Sequence, residues 1–392
     1  MAECYSQKEN FPLTIAEKYH NELDVEGFSL MMKDPSYCYK FYWLEAIVKL
    51  ISEGITDTTF NDIIDEMITN AWYSVREFHI HLSGYQNGDI RDGLERAVLK
   101  LSELSMLPAN ASKTEIKNTI VKCNPELKVF KEQLTNMVPY RALAGFFLHT
   151  GESVNWGSTV KLVSSIEKLN EIVILPYTLG TSSKLKKEVH FNPQWSAMIQ
   201  DNTVTILGWI QYEKLKWLQM NNPEVPGLVY KLVPADGKMR KLNNVRNLWE
   251  GVLEIQPIND VFTDKPLFRK HYDVDHFIPW SFVMNDELWN LMPMDSSLNS
   301  SKSDHLPKWE PFFQRFAENQ YQMYVMINQM PGLHKLYKSC FKDNLHSIWA
   351  GQELYRTGNS KQMFFNILEK NMRPVYDSAK RQGYEMWTYD LI

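Results

Sequence analysis

The sequence predicts an α+β protein, a mostly α-helical scaffold with one small strand–strand–helix unit embedded in it. Three observations lead there. Apolar residues recur at helical spacing over long stretches on both sides of the chain's middle, as in YCYKFYWLEAIVKLISEG and WEPFFQRFAENQYQMYVMINQM. Runs rich in β-branched residues are few and short. One stretch, Asp273 to Asp304, passes from a strand-like run through a polar loop into a cluster of cap-type residues.

The elements follow in order. Residues 1–30 read as a loosely ordered leader. The first firm helix begins after Asp34-Pro35 and ends at Gly54, and Thr58 or Thr59 caps a second that runs through Asn70. EFHIHLSG alternates like a short strand, with His79 and His81 on one face as ordinary strand residues rather than metal ligands. A helix spans Asp92 to Leu107 and is stopped by Pro108. NTVTILGWI reads as a strand leading into the helix YEKLKWLQMNN. NVRNLWEGVLEI is helical and precedes VFTDKPLF, taken as the first strand of a hairpin; after Leu306-Pro307 the chain turns helical again. The expected organisation is a leader (1–30), an α-rich scaffold (31–200), a connecting region with a basic patch (201–257), the strand–strand–helix unit (258–308) and a C-terminal helical segment (309–392).

With 392 residues, 44% of them hydrophobic, the chain can bury a sizeable core. It has no run approaching the roughly 18 apolar residues needed to span a bilayer, and its start has no signal-like pattern, so a cytoplasmic protein without a membrane partner is expected. Cysteines 4, 38, 123 and 340 are too far apart for a zinc motif and fit a reducing compartment. No phosphate-binding glycine loop occurs. The net charge is −5, so any nucleic-acid contact has to come from local patches. Between 231 and 246 five cations (Lys231, Lys238, Arg240, Lys241, Arg246) stand against Asp236 alone, and Arg269, Lys270 and His305 flank the 273–304 run. Lys238, Arg240, Lys241, Arg269, Lys270 and His305 are the candidate phosphate contacts. The aromatic crowd at 37–43 reads as helix core before it reads as a base-stacking surface.

DVDHFIPWSFVMNDELWNLMPMDSSLNSSKSD carries residues that suit metal-assisted phosphodiester cleavage. A divalent ion such as Mg²⁺ prefers hard oxygen ligands, which Asp275 and Asn299 can offer. His276, the next residue along the strand from Asp275, points to the opposite side of the pleat, where it can take a proton from attacking water. Asn290 sits in the loop and can pin the backbone or orient the imidazole. Lys302 follows Asn299 by three residues, on the same helical face, placed to meet a phosphate oxygen.

These residues resemble the HNH, or ββα-metal, nuclease family. Asp-Val-Asp-His, Ile-Pro, Ser-Phe, then Asn, Asn and Lys-Ser-Asp run without insertion against the HNH domain of CRISPR RNA-guided nucleases, and DHFIPWSF, LWNL and NSSKSDHLP resemble bacterial HNH effectors of phage defence and restriction. The resemblance implies an embedded ββα-metal core with Asp275 and Asn299 as ligands of Mg²⁺ or Mn²⁺, His276 as general base, Asn290 as loop organiser and Lys302 as phosphate contact. It further implies an endonuclease that nicks DNA rather than RNA and acts with other defence-system proteins; the alternative is a non-cleaving nucleic-acid-binding subunit. Two departures stand out: the third motif position is Asn299 rather than His, and the paired Cys-x-x-Cys of some relatives is missing.

Overall fold

Thr59 closes a three-residue strand, Asp57–Thr59, and at once caps the 19-residue helix Phe60–Phe78, its hydroxyl and the Asp62 carboxylate satisfying each other's backbone N–H groups. This helix packs on Tyr39–Ser52, the helix expected after Asp34-Pro35. A computed structural model describes residues 13, 15–33, 35, 37–83, 92–232 and 240–389. They form two compact units, one of residues 1–223 and 231–233, the other of 224–230 and 234–392.

The first unit is helical around one antiparallel sheet, in which Glu188–Phe191 lies between Asp57–Thr59 and Tyr177–Leu179. Its core is aromatic. Phe41, Tyr42 and Trp43 are buried, and Trp43 meets Phe60 and Tyr177 edge-on. Glu45 on the first helix is held between Lys214 and Lys49, each at 2.7 Å.

Four expectations need correcting. The leader is not loose as far as residue 30: Leu23, Val25, Phe28 and Met31 are buried, and a Cβ at Gly145 would lie 2.3 Å from the Gly27 carbonyl, so only glycine lets these segments touch. EFHIHLSG is not a strand. The helix continues to Phe78 and is closed by His79 in the left-handed conformation, while His81 turns inward to Glu95 at 2.7 Å. NTVTILGWI is the start of the helix Thr203–Asn221, because Ile206, Ile210, Lys214 and Leu218 fall on one buried face and tertiary packing overrides β-propensity. VFTDKPLF is no hairpin strand: Asp260 takes the N–H groups of Phe262 and Thr263, Pro266 has none to give, and a single bridge joins Asn259 to Pro266.

The second unit holds the strands Asp273–His276 and Leu291–Met294, paired antiparallel with Asp275 opposite Met292 and His276 opposite Leu291, followed by the short helix Ser296–Lys302. The long helix Trp309–Gln329 lies behind this hairpin. Its Phe316 packs on Phe277 at 4.8 Å, and the buried Gln320 amide donates to the Leu288 and Leu291 carbonyls. Among the described residues no helix is long and apolar enough to cross a membrane.

Candidate active site

Residues 273–276 are extended, so alternate side chains leave on opposite sides. Asp275 faces the short helix, where Lys302 Nζ donates to its Oδ2 and to the His276 carbonyl, both at 2.8 Å. Lys302 is fully buried. It therefore meets the expected metal ligand rather than open solvent. Asp273, two residues back on the same face, accepts from Asn299 Nδ2 at 3.4 Å and lies 3.8 Å from Arg246. Three oxygen-bearing side chains, Asp273, Asp275 and Asn299, thus share one side of the hairpin. Among the described residues no three His, Cys, Asp or Glu side chains gather as a metal cage; here one of the three donors is an amide.

His276 leaves on the other side and is fully buried. Its Nε2 lies 3.1 Å from the Asn285 carbonyl and 3.2 Å from Asp286 Oδ1. The hydrogen bond goes to the carbonyl, and the carboxylate is a charge neighbour. With Nε2 carrying the proton, the lone pair resides on Nδ1, a buried atom with no hydrogen-bond partner among the described residues. Burial pushes the Asp286 carboxyl up, but the His276 ring, the Lys241 N–H and Arg240 outweigh it and hold it below the ordinary carboxylate range. Asp286 therefore stays charged beside the imidazole.

Asn290 acts on the main chain. Its Oδ1 accepts from the Ile278 N–H and its Nδ2 donates to the Ile278 carbonyl, each at 2.8 Å, while its own carbonyl takes the Phe277 N–H. The residues just after His276 are thereby fixed. Asn344 anchors the loop from outside, donating to the carbonyls of Lys241 and Asp286 and accepting from the Leu288 N–H. The short helix starts at Asp295, whose carboxylate caps Ser297 N–H; Ser296, Ser297 and Asn299, read as cap residues, lie inside it. Buried Asp260 takes the Asp295 N–H at 2.9 Å and so ties the preceding turn to this cap.

The candidate phosphate contacts are mostly engaged. Arg269 reaches Glu250 and Glu254, whereas at Lys270 it is the backbone N–H, not the ammonium, that donates to Glu250. Lys241 pairs with Asp343, and Arg240 lies over the Trp280 ring at 5.1 Å. His305 Nδ1 is 3.0 Å from the Lys302 carbonyl. Lys238 lies outside the described residues.

Asp260, Asp273 and Asp286 are the members of this constellation that sequence reasoning did not single out. Asp273 was legible two residues before Asp275. Asp286 had no signal beyond its place in the loop.

Comparison with known families matches residues 259–308 to a family described as HNH endonuclease, fifty of the 392 residues. No curated protein and no solved structure matches the chain. The match begins at the Asn259–Pro266 bridge, takes in the hairpin and the short helix, and ends just beyond Lys302. Residues 259–308 are accordingly an HNH-family domain.

Proposed function

We propose that the chain is a divalent-metal-dependent endonuclease that hydrolyses DNA phosphodiester bonds, nicking one strand per active site. The observation that carries the reading is the division of the strand Asp273–His276, with oxygen donors on one side and an imidazole backed by a carboxylate on the other.

The donor set fits a hard cation. Asp273, Asp275 and the Asn299 amide oxygen are the ligand type that Mg²⁺ or Mn²⁺ prefers. When bound, such an ion stabilises the charge that develops on the leaving 3′ oxygen. His276 accepts the proton of the attacking water at Nδ1 as the water oxygen bonds to phosphorus and the 3′ oxygen departs. Asp286 stabilises the imidazolium that forms, as the aspartate of a Ser-His-Asp triad does. Asn290 holds the backbone against which His276 is positioned. Lys302 balances Asp275 and fixes its orientation. Because the imidazole is enclosed, substrate has to displace neighbouring side chains to bring water to Nδ1.

The motif's likeness to bacterial effectors supports a cytoplasmic role in anti-phage defence or restriction, with other proteins of such a system as partners. Constitutive full-rate cutting of host DNA by the isolated protein would contradict that part.

The test is conversion of supercoiled plasmid to open-circle and linear forms in Mg²⁺, Mn²⁺ or EDTA, with native protein and His276→Ala. Metal-dependent nicking lost in the variant is expected. DNA binding by both proteins without cutting in any metal overturns the nuclease reading in favour of a non-cleaving nucleic-acid-binding subunit.

A further inference from the structure

We propose that the first unit carries a second ligand site, a cleft for a small aromatic anion of the mononucleotide class. The cleft has a volume of about 260 Å³ and lies where the start of the helix Tyr39–Ser52 meets the helices Gly93–Leu104 and Asn124–Leu134.

Its chemistry comes in two halves. Lys40, Arg96 and Arg141, drawn from three separate stretches of the sequence, all line it, and no carboxylate does among the described residues. In a chain of net charge −5, cations from three elements thus converge on one cleft. Arg96 donates to the neutral Gln133 amide at 3.3 Å, which orients the guanidinium and leaves its charge intact. Arg141 stands against the Trp156 ring at 5.9 Å, and its Nε is buried with no hydrogen-bond acceptor among the described residues. A buried donor of this kind costs stability until an acceptor arrives, and guanidinium groups recognise phosphate and carboxylate oxygens best.

The other half is a flat apolar surface. Tyr37 and Tyr39 stack at 5.0 Å with their planes 25° apart, and Tyr37 remains 39% exposed. The aromatic crowd of the sequence thus divides: Phe41, Tyr42 and Trp43 build the core, whereas Tyr37 and Tyr39 face the cleft. A stacked tyrosine pair offers a π-face to a planar ring, and Leu134 lines the same cleft. The volume sits just under the roughly 300–1,000 Å³ of common small-molecule sites, which admits one ring with one anionic group and excludes an oligonucleotide.

The experiment is isothermal titration of the full chain, without DNA, with AMP, GMP, CMP and UMP, and with adenosine and inorganic phosphate as separate arms. The result is therefore independent of whether the HNH-family domain cuts. Saturable binding of at least one nucleoside monophosphate is expected, with its nucleoside and phosphate each binding roughly ten-fold more weakly or worse, because either half alone forfeits the other's contacts. Arg96→Gln and Arg141→Gln should each weaken it roughly ten-fold, the loss of one charge-assisted hydrogen bond. Tyr37→Leu, at a half-exposed position that leaves the core untouched, should weaken it as well. The proposal is overturned if no monophosphate binds at about 1 mM, a concentration at which even a weak site registers. Phosphate binding as tightly as the nucleotides, or well-folded variants that retain full affinity, would overturn it too.

Discussion

Lys302 Nζ donates to Asp275 Oδ2 at 2.8 Å, and both side chains are buried. The cation expected to meet the phosphate thus neutralises the carboxylate expected to hold the metal, so the site is charge-balanced before any ion enters. Removing one partner of such a pair leaves a buried charge uncompensated, which costs about 3–5 kcal/mol. Lys302→Met should therefore destabilise the protein strongly, and Mg²⁺ should recover part of the loss by binding the folded state. Chemical denaturation of native protein and variant, with Mg²⁺ and with EDTA, checks both. A variant whose stability is indifferent to Mg²⁺ would separate Asp275 from metal binding.

Asp286 stands 3.2 Å from His276 Nε2 and is held charged. The carboxylate is therefore placed to orient the ring and to balance the charge that forms when His276 takes a proton. Asp286→Asn should reduce nicking about 10–100-fold, the usual effect of losing an orienting partner. Equal nicking rates for native protein and variant would show that Asp286 does not act on His276.

The motif was legible because Asp275, His276, Asn290, Asn299 and Lys302 occupy 28 consecutive positions, where hairpin pairing and helical spacing alone decide who can meet. What escaped depends on distant chain. The loop that brings Asp286 to His276 is held by Asn344, 58 residues further on, at the Asp286 carbonyl, and by Gln320 at its far end. The inward turn of Lys302 reflects its bonds to Asp275 and the His276 carbonyl on the packed strand, which helical spacing does not report. The helix Thr203–Asn221 was misread for a related reason: its β-branched start mimics a strand, and only the buried face against Tyr39–Ser52 decides the matter.

Asn290 makes two side-chain hydrogen bonds to the Ile278 peptide groups from a fully buried position. Asn290→Ala leaves a buried N–H and a buried carbonyl unpaired at about 1–3 kcal/mol each. A drop in the urea midpoint together with loss of nicking is the expected outcome. Asn290→Asp keeps the acceptor for the Ile278 N–H but loses the donor to its carbonyl, so it should fall between the two. If Asn290→Ala keeps full stability while losing activity, Asn290 touches substrate rather than the backbone.

Asp92 tests a different part of the molecule. It caps the helix Gly93–Leu104 through the Leu94 and Glu95 N–H groups and accepts from Ser83, yet burial outweighs these bonds and pushes its carboxyl up to about 6. An unfolded aspartate titrates near about 3.9, so between these values the native state binds the proton more tightly than the unfolded chain. The stability this group supplies is fully present below about pH 4 and is lost as the pH rises through about 6. Asparagine caps a helix about as well and cannot ionise. Asp92→Asn should therefore gain on the native protein by about 2–3 kcal/mol between pH 4 and pH 7. Urea melts of both proteins across that range measure the difference directly, other carboxylates cancelling. A difference that stays flat with pH would mean that Asp92 is ionised throughout, with its cap bonds outweighing its burial.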